Sequence, residues 1–201
     1  MLVFAIAVGG GALYFFWKTP APTHHVTSMP VLPPSPTPGI VAALPVATPW
    51  VSPDGAKTLV MKVTPEAHNL TSYVFTVKDS PDAPEQTVYQ TNVESGVSMS
   101  IPFNSWSPDN QYFFILKKDG TDIHTLVFKA SGKSFPDGSQ FVDVNDAFVQ
   151  KKIQYPFTEV TGWASPTLLV VNTKSPTSSA PISYWFDLSK KSFIRLTNSF
   201  Q

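Results

Sequence analysis

The chain has 201 residues, with 14 basic and 14 acidic side chains that leave no formal net charge and form no block. That excludes the basic stripe by which a protein grips a nucleic-acid backbone, so no nucleic-acid partner is expected. No cysteine is present, which removes disulfides, thiolate metal sites and cysteine nucleophiles and fits an envelope protein. Charged residues make up 14% and aromatic residues 13% of the chain, against an average charged share of roughly 25%, a balance that favours a β-rich domain packed with rings.

Residues 2–17, "LVFAIAVGGGALYFFW", carry no charge and are followed by Lys18. As a helix they would span about 24 Å, slightly less than a hydrocarbon core of about 30 Å. A short transmembrane anchor or an uncleaved signal sequence over residues 1–18 is expected. The ring cluster Tyr14, Phe15, Phe16, Trp17 favours the anchor, because aromatic side chains settle at the membrane interface. Residues 19–48 are dense in proline and show no periodic apolar face. Such a segment prefers extended polyproline geometry and reads as a stalk. His24 and His25 lie in it without partners that would complete a metal site.

From residue 49 onward a unit recurs. "PWVSPDGAKTLVMKV" (49–63) is echoed by "SWSPDNQYFFILKK" (105–118) and, more weakly, by "GWASPTLLVVNTK" (162–174). Trp50, Trp106 and Trp163 are 56 and 57 residues apart, and the pairs Ser52-Pro53, Ser107-Pro108 and Ser165-Pro166 keep step with them. Proline fixes φ for a turn, and Asp54-Gly55 and Asp109-Asn110 supply residues that tolerate positive φ. Apolar strands are expected at 58–63, 112–117 and 167–172, each buried on both faces, and a second strand at 72–79, 122–131 and 182–190. Third strands are expected at 86–90 and 193–197, and "VNDAFVQKK" (144–152) is the one candidate helix, a turn or two long.

A period of about 50 residues with several strands per unit points to propeller blades, which cannot bury their faces alone. The Trp-Ser-Pro-Asp turn followed by an apolar strand, and the ending "YWFDLSKKSFIRLT" (184–197), resemble the blade repeat of TolB-like (WD-like) β-propellers. The resemblance covers residues 49–197. It departs from the family pattern in the third copy, where Ala-Ser-Pro-Thr replaces Ser-Pro-Asp-Gly. It implies an all-β partial propeller of about three antiparallel blades near 49–100, 101–156 and 157–201, behind one transmembrane helix. A β-sandwich built from the same hairpins is the alternative. Because propellers close with about four to eight blades, three blades form an open arc, or two chains pair as a homodimer completing a ring, or the array is a truncated one.

Trp50, Ser52, Pro53, Asp54, Gly55, Trp106, Ser107, Pro108, Asp109, Trp163, Ser165 and Pro166 are therefore read as structural residues of the blade motif. "DGTD" (119–122) and "DVND" (143–146) bring carboxylates together but lack the run of oxygen ligands that a calcium loop needs, and read as solvated turns. No Gly-x-Ser-x-Gly, His-Glu-x-x-His or phosphate-cradling loop occurs, and His68 and His124 have no partner deducible from spacing. No catalytic residue, cofactor or metal is expected. The functional expectation is a membrane-anchored, extracytoplasmic module, periplasmic or at the cell surface, tethered through residues 2–17. It would bind a protein or an envelope component without catalysis. A glycan-binding or degenerate enzyme-like propeller is the alternative.

Overall fold

The computed structural model describes residues 44–177 and 182–196. The anchor at residues 2–17 and the stalk up to residue 43 lie outside the described residues. Within them no helix is long and apolar enough to cross a membrane.

The described chain is all-β apart from one short helix and one 3-10 turn. Twelve strands form three antiparallel sheets of four. Sheet 1 holds β1 (Val46–Val51), β2 (Thr58–Pro65), β3 (Leu70–Lys78) and β4 (Gln86–Glu94); sheet 2 holds β5 (Val97–Ser100), β6 (Tyr112–Asp119), β7 (Asp122–Lys129) and β8 (Phe141–Asp143). Sheet 3 holds β9 (Phe157–Ser165), β10 (Leu168–Thr173), β11 (Ile182–Asp187) and β12 (Ser192–Arg195). In each sheet every strand pairs with its neighbours in sequence, so the chain is three successive meanders. A sandwich has two sheets where this chain has three, and no closed barrel forms among the described residues. The first strand begins at Val46, inside the stretch that the sequence marks as stalk.

The middle sheet explains the unbroken apolar runs. Successive side chains on a strand point to opposite faces, so a run such as Phe113-Phe114-Ile115 can be wholly buried only between two layers. All three are 0% exposed. Phe113 and Ile115 join a core with Leu59, Phe75 and Val77 of sheet 1. Phe114 points the other way, into a core with Leu169, Val171 and Phe186 of sheet 3. The helix α1 (Val144–Gln150) follows β8 and turns Val144 and Phe148 into this second core.

The Ser-Pro-Asp turns are built alike. The Ser52 hydroxyl donates to Asp54 (2.7 Å) and accepts from the Lys57 N–H (2.9 Å). Ser107 does the same with Asp109 (2.7 Å) and the Tyr112 N–H (2.9 Å). Gly55 (φ 75°) and Asn110 (φ 55°) occupy the left-handed position that closes each turn. The third copy differs. Ser165 is still a strand residue, paired with Leu168, and only Pro166 and Thr167 turn the chain.

Superposing the two matched serines shifts the tryptophans out of phase. Val51, not Trp50, stands where Trp106 stands, and Trp50 matches Ser105. The hydrogen bonds follow this register. Trp106 Nε1 donates to the Trp50 carbonyl (3.3 Å), and Trp163 Nε1 donates to the Ser105 carbonyl (2.9 Å). Each indole thus pins its own sheet to the backbone of the preceding one, and Trp50 serves through its carbonyl while its ring packs against the first core.

Sheet 1 has a different outer face. The residues that alternate with Leu59, Phe75 and Val77 are Thr58, Val60, Lys62, Val74, Thr76 and Lys78. Lys62 pairs with Glu85, which also accepts from the Thr76 hydroxyl (3.1 Å) and lies 4.0 Å from Lys78. The Lys62 hydrogen bond is the main force holding the Glu85 carboxyl below the usual glutamate range.

One turn is predicted to show in acid unfolding. Asp187 Oδ1 accepts from the Ser189 hydroxyl (2.6 Å) and from the N–H groups of Ser189 (3.0 Å) and Lys190 (3.2 Å). The Ser189 hydroxyl foremost, then the two backbone donors, lower its pKa from the ordinary 3.8. A carboxyl whose folded pKa is depressed adds stability that is full above the unfolded value and is lost as pH falls through the folded one. Asp187→Asn is therefore less stable than wild type at pH 7, and the gap closes below about pH 4. Urea midpoints from pH 7 to pH 2 measure this; a gap that stays constant with pH removes the charge from the account.

Candidate functional site

The most distinctive surface lies at the turn-bearing ends of the three sheets. Val51 from the end of β1, Pro53 and Pro108 from the matched turns, and Trp106 and Trp163 from the pinned indoles surround a cavity of about 510 Å³. Phe103 and Asn104 from the β5–β6 loop complete its wall. None of the seven residues is charged.

The backbone places each of them. Phe103 and Asn104 are the middle residues of a turn closed by the Ser105 N–H on the Pro102 carbonyl (3.2 Å). That turn thrusts the Phe103 ring out until it is 99% exposed, and Val51 beside it is 60% exposed. Trp106 is only 5% exposed, packed at 5.6 Å on Phe113 with the rings tilted by 59°, so it is not a free platform. Trp163 is held 6.2 Å from Tyr112 and 6.3 Å from Phe114. Gly162, at φ 146°, gives Asn104 its seat. A Cβ there would lie 2.6 Å from Asn104 Nδ2, and that φ is one side chains rarely adopt. No protein-family model matches the chain, and no curated protein does.

Of the residues marked in the sequence, the structure gathers Pro53, Trp106, Pro108 and Trp163 at this groove. Ser52, Asp54, Gly55, Ser107 and Asp109 stay inside their turns, with Asp54 held below the usual aspartate range by the Ala56 N–H first and the Ser52 hydroxyl second. Ser165 and Pro166 form the tighter third turn. Phe103 and Gly162 carry no sequence mark at all.

A second cluster joins His124 on β7 to Asp143 and Asp146, whose ligand atoms all lie within 4.8 Å of one another. His124 Nδ1 is 2.7 Å from Asp143 Oδ2 and 4.0 Å from Asp146 Oδ1. Asp143 is the N-cap of α1, with Oδ1 accepting from the N–H groups of Asn145 (2.9 Å) and Asp146 (3.2 Å). Asn145 reaches back to β7, accepting from the Thr125 N–H (3.0 Å) and donating to the Ile123 carbonyl (2.5 Å). Both oxygens of Asp143 are thereby engaged, and the cluster works as a clasp between helix and strand. His124 does have a carboxylate partner, 19 residues further along the chain. The acidic hairpin at 119–122 closes β6 onto β7, with Asp119 opposite Asp122 and Gly120 at φ 58°.

Proposed function

We propose that the chain is a non-enzymatic protein-interaction module of three propeller-like blades, anchored in a membrane by residues 2–17 and held off it, outside the cytoplasm, by the proline-rich segment. Three consecutive four-stranded meanders, each packed face to face on the next, support the blade reading and with it the TolB-like resemblance. The observation that carries the functional reading is Phe103: a large ring left 99% exposed at the lip of an uncharged groove. Exposed apolar patches of this kind mark contact surfaces, and aromatic anchors seated in pockets dominate binding energy.

The glycan alternative calls for exposed rings together with carboxylates in one cleft. Here the rings and the carboxylates are apart: the groove has no acidic residue, and the acidic cavity of about 470 Å³ beside His124 is lined by Tyr89 and Phe141 but by no tryptophan.

The reading predicts that the protein runs as a complex in native gels of gently solubilised membranes, and that Phe103→Ser shifts it to a smaller species. Val149→Ser, which removes another exposed apolar side chain (73%) on α1, leaves the complex unchanged. Identical migration of wild type and Phe103→Ser removes the groove as the contact surface.

A further inference from the structure

We propose that His124, Asp143 and Asp146 bind a divalent cation of the zinc class. One imidazole nitrogen and two carboxylate oxygens come together there, all within 4.8 Å of one another. That donor mixture suits zinc and its neighbours, whereas calcium and magnesium take oxygen donors and gain little from an imidazole. Zinc bonds of about 2.0–2.2 Å set two ligands of a tetrahedral ion about 3.4 Å apart. The distances from His124 Nδ1, 2.7 Å to Asp143 Oδ2 and 4.0 Å to Asp146 Oδ1, bracket that separation. Asp146, its side chain 66% exposed, has the freedom to close the difference.

The helix cap leaves the needed atoms in reach. Asp143 caps α1 through Oδ1, while Oδ2 meets His124. An ionised carboxylate only accepts, so Nδ1 carries the proton in that contact. A cation takes the place of this proton between Nδ1 and Oδ2, the proton passes to solvent, and the cap on α1 stays made. The backbone around the site is already fixed. β7 and β8 are paired, with Leu126 opposite Asp143, and the Asn145 side chain is bonded to Thr125 and Ile123, the two chain neighbours of His124. Ligands held in this way keep the ordering cost of binding low.

The surroundings add a separate argument. All three ligands line the cavity of about 470 Å³, whose wall also carries Glu94 and Asp119 against a single basic residue, Lys117. Its field draws a cation in, and its volume leaves room for water on the open coordination position that a three-ligand zinc site keeps. Binding also reaches the core, because α1 carries Val144 and Phe148 into the packing with sheet 3. The inference is independent of the Phe103 groove, which shares no residue with this cavity.

The test uses the full chain in detergent, stripped with a chelator and titrated with zinc chloride by calorimetry and thermal melting. The expected result is one zinc ion per chain and a melting temperature raised by about 5 °C or more at about a hundredfold excess over Kd. His124→Gln and Asp146→Asn each weaken binding by about tenfold or more. Asp146→Asn changes an exposed side chain and leaves the cap in place, so it reads the site even if His124→Gln disturbs the fold. His24→Gln/His25→Gln binds as wild type does. No binding, binding indifferent to both site variants, or binding lost with His24 and His25 overturns the proposal. Calcium chloride stabilising the chain as much as zinc chloride would remove the imidazole from the site and overturn it too.

Discussion

Trp106→Ala is expected to be among the most destabilising single changes in the domain, by about 3–5 kcal/mol. The side chain is 5% exposed, packs on Phe113 at 5.6 Å and donates across to the Trp50 carbonyl. Its loss opens a cavity in the first core and unfastens sheet 2 from sheet 1 together. Trp106→Phe separates the two effects: it keeps most of the packing and gives up the indole donor, at a cost of about 1 kcal/mol. Urea unfolding followed by circular dichroism reads both. Equal costs for the two variants would mean that the hydrogen bond, and not the packing, supplies most of what Trp106 contributes.

The second large effect belongs to the strand between the two cores. Phe113→Ala and Phe114→Ala should each cost about 3–5 kcal/mol, for different reasons. Phe113 lies 5.5 Å from Phe128 in the first core, while Phe114 lies 6.3 Å from Trp163 in the second. Although they are chain neighbours, the cavities open on opposite sides of sheet 2, and the costs should nearly add. The sum is comparable with the whole stability of an ordinary domain, about 5–15 kcal/mol, so the double variant should be largely unfolded at room temperature. A double variant no less stable than the worse single one would mean that the two cores are not independent layers.

Much of this architecture is legible in the sequence, and the reasons differ by element. β6 announces itself because an unbroken run of rings and branched side chains is tolerated only between two layers. The hairpin partners β3, β7 and β11 follow β2, β6 and β10 in turn. The edge strands are harder. β5 reads "VSMS" and β9 reads "FTEVTGWAS", with small, polar and charged residues that give no continuous signal. An edge strand needs only one good neighbour, so its composition is weakly constrained.

The tryptophans show a different limit. Matching Trp50 with Trp106 is the natural reading of the repeat, yet the serine turns set the true register and put Val51 in that place. The acceptors of both indoles are backbone carbonyls, which any residue can provide, so no side chain in the sequence betrays them. The groove is obscure for a related reason. Phe103 sits in "IPFNSW", where Ile101 and Trp106 are buried and the ring between them would be assigned to the core as well. Only the turn at residues 102–105 sends it outward. His124 and Asp143 meet because β7 and β8 are paired, and no spacing rule connects positions 19 apart.

The most direct measurement is the mass of the full chain in detergent, by light scattering over a concentration series, for wild type and Phe103→Ser side by side. The account predicts a wild-type protein, extracted gently from its membrane, whose mass exceeds that of one chain, and a folded Phe103→Ser variant that has lost the excess. A wild-type protein that remains a single chain throughout, or a complex indifferent to the change at position 103, would contradict it.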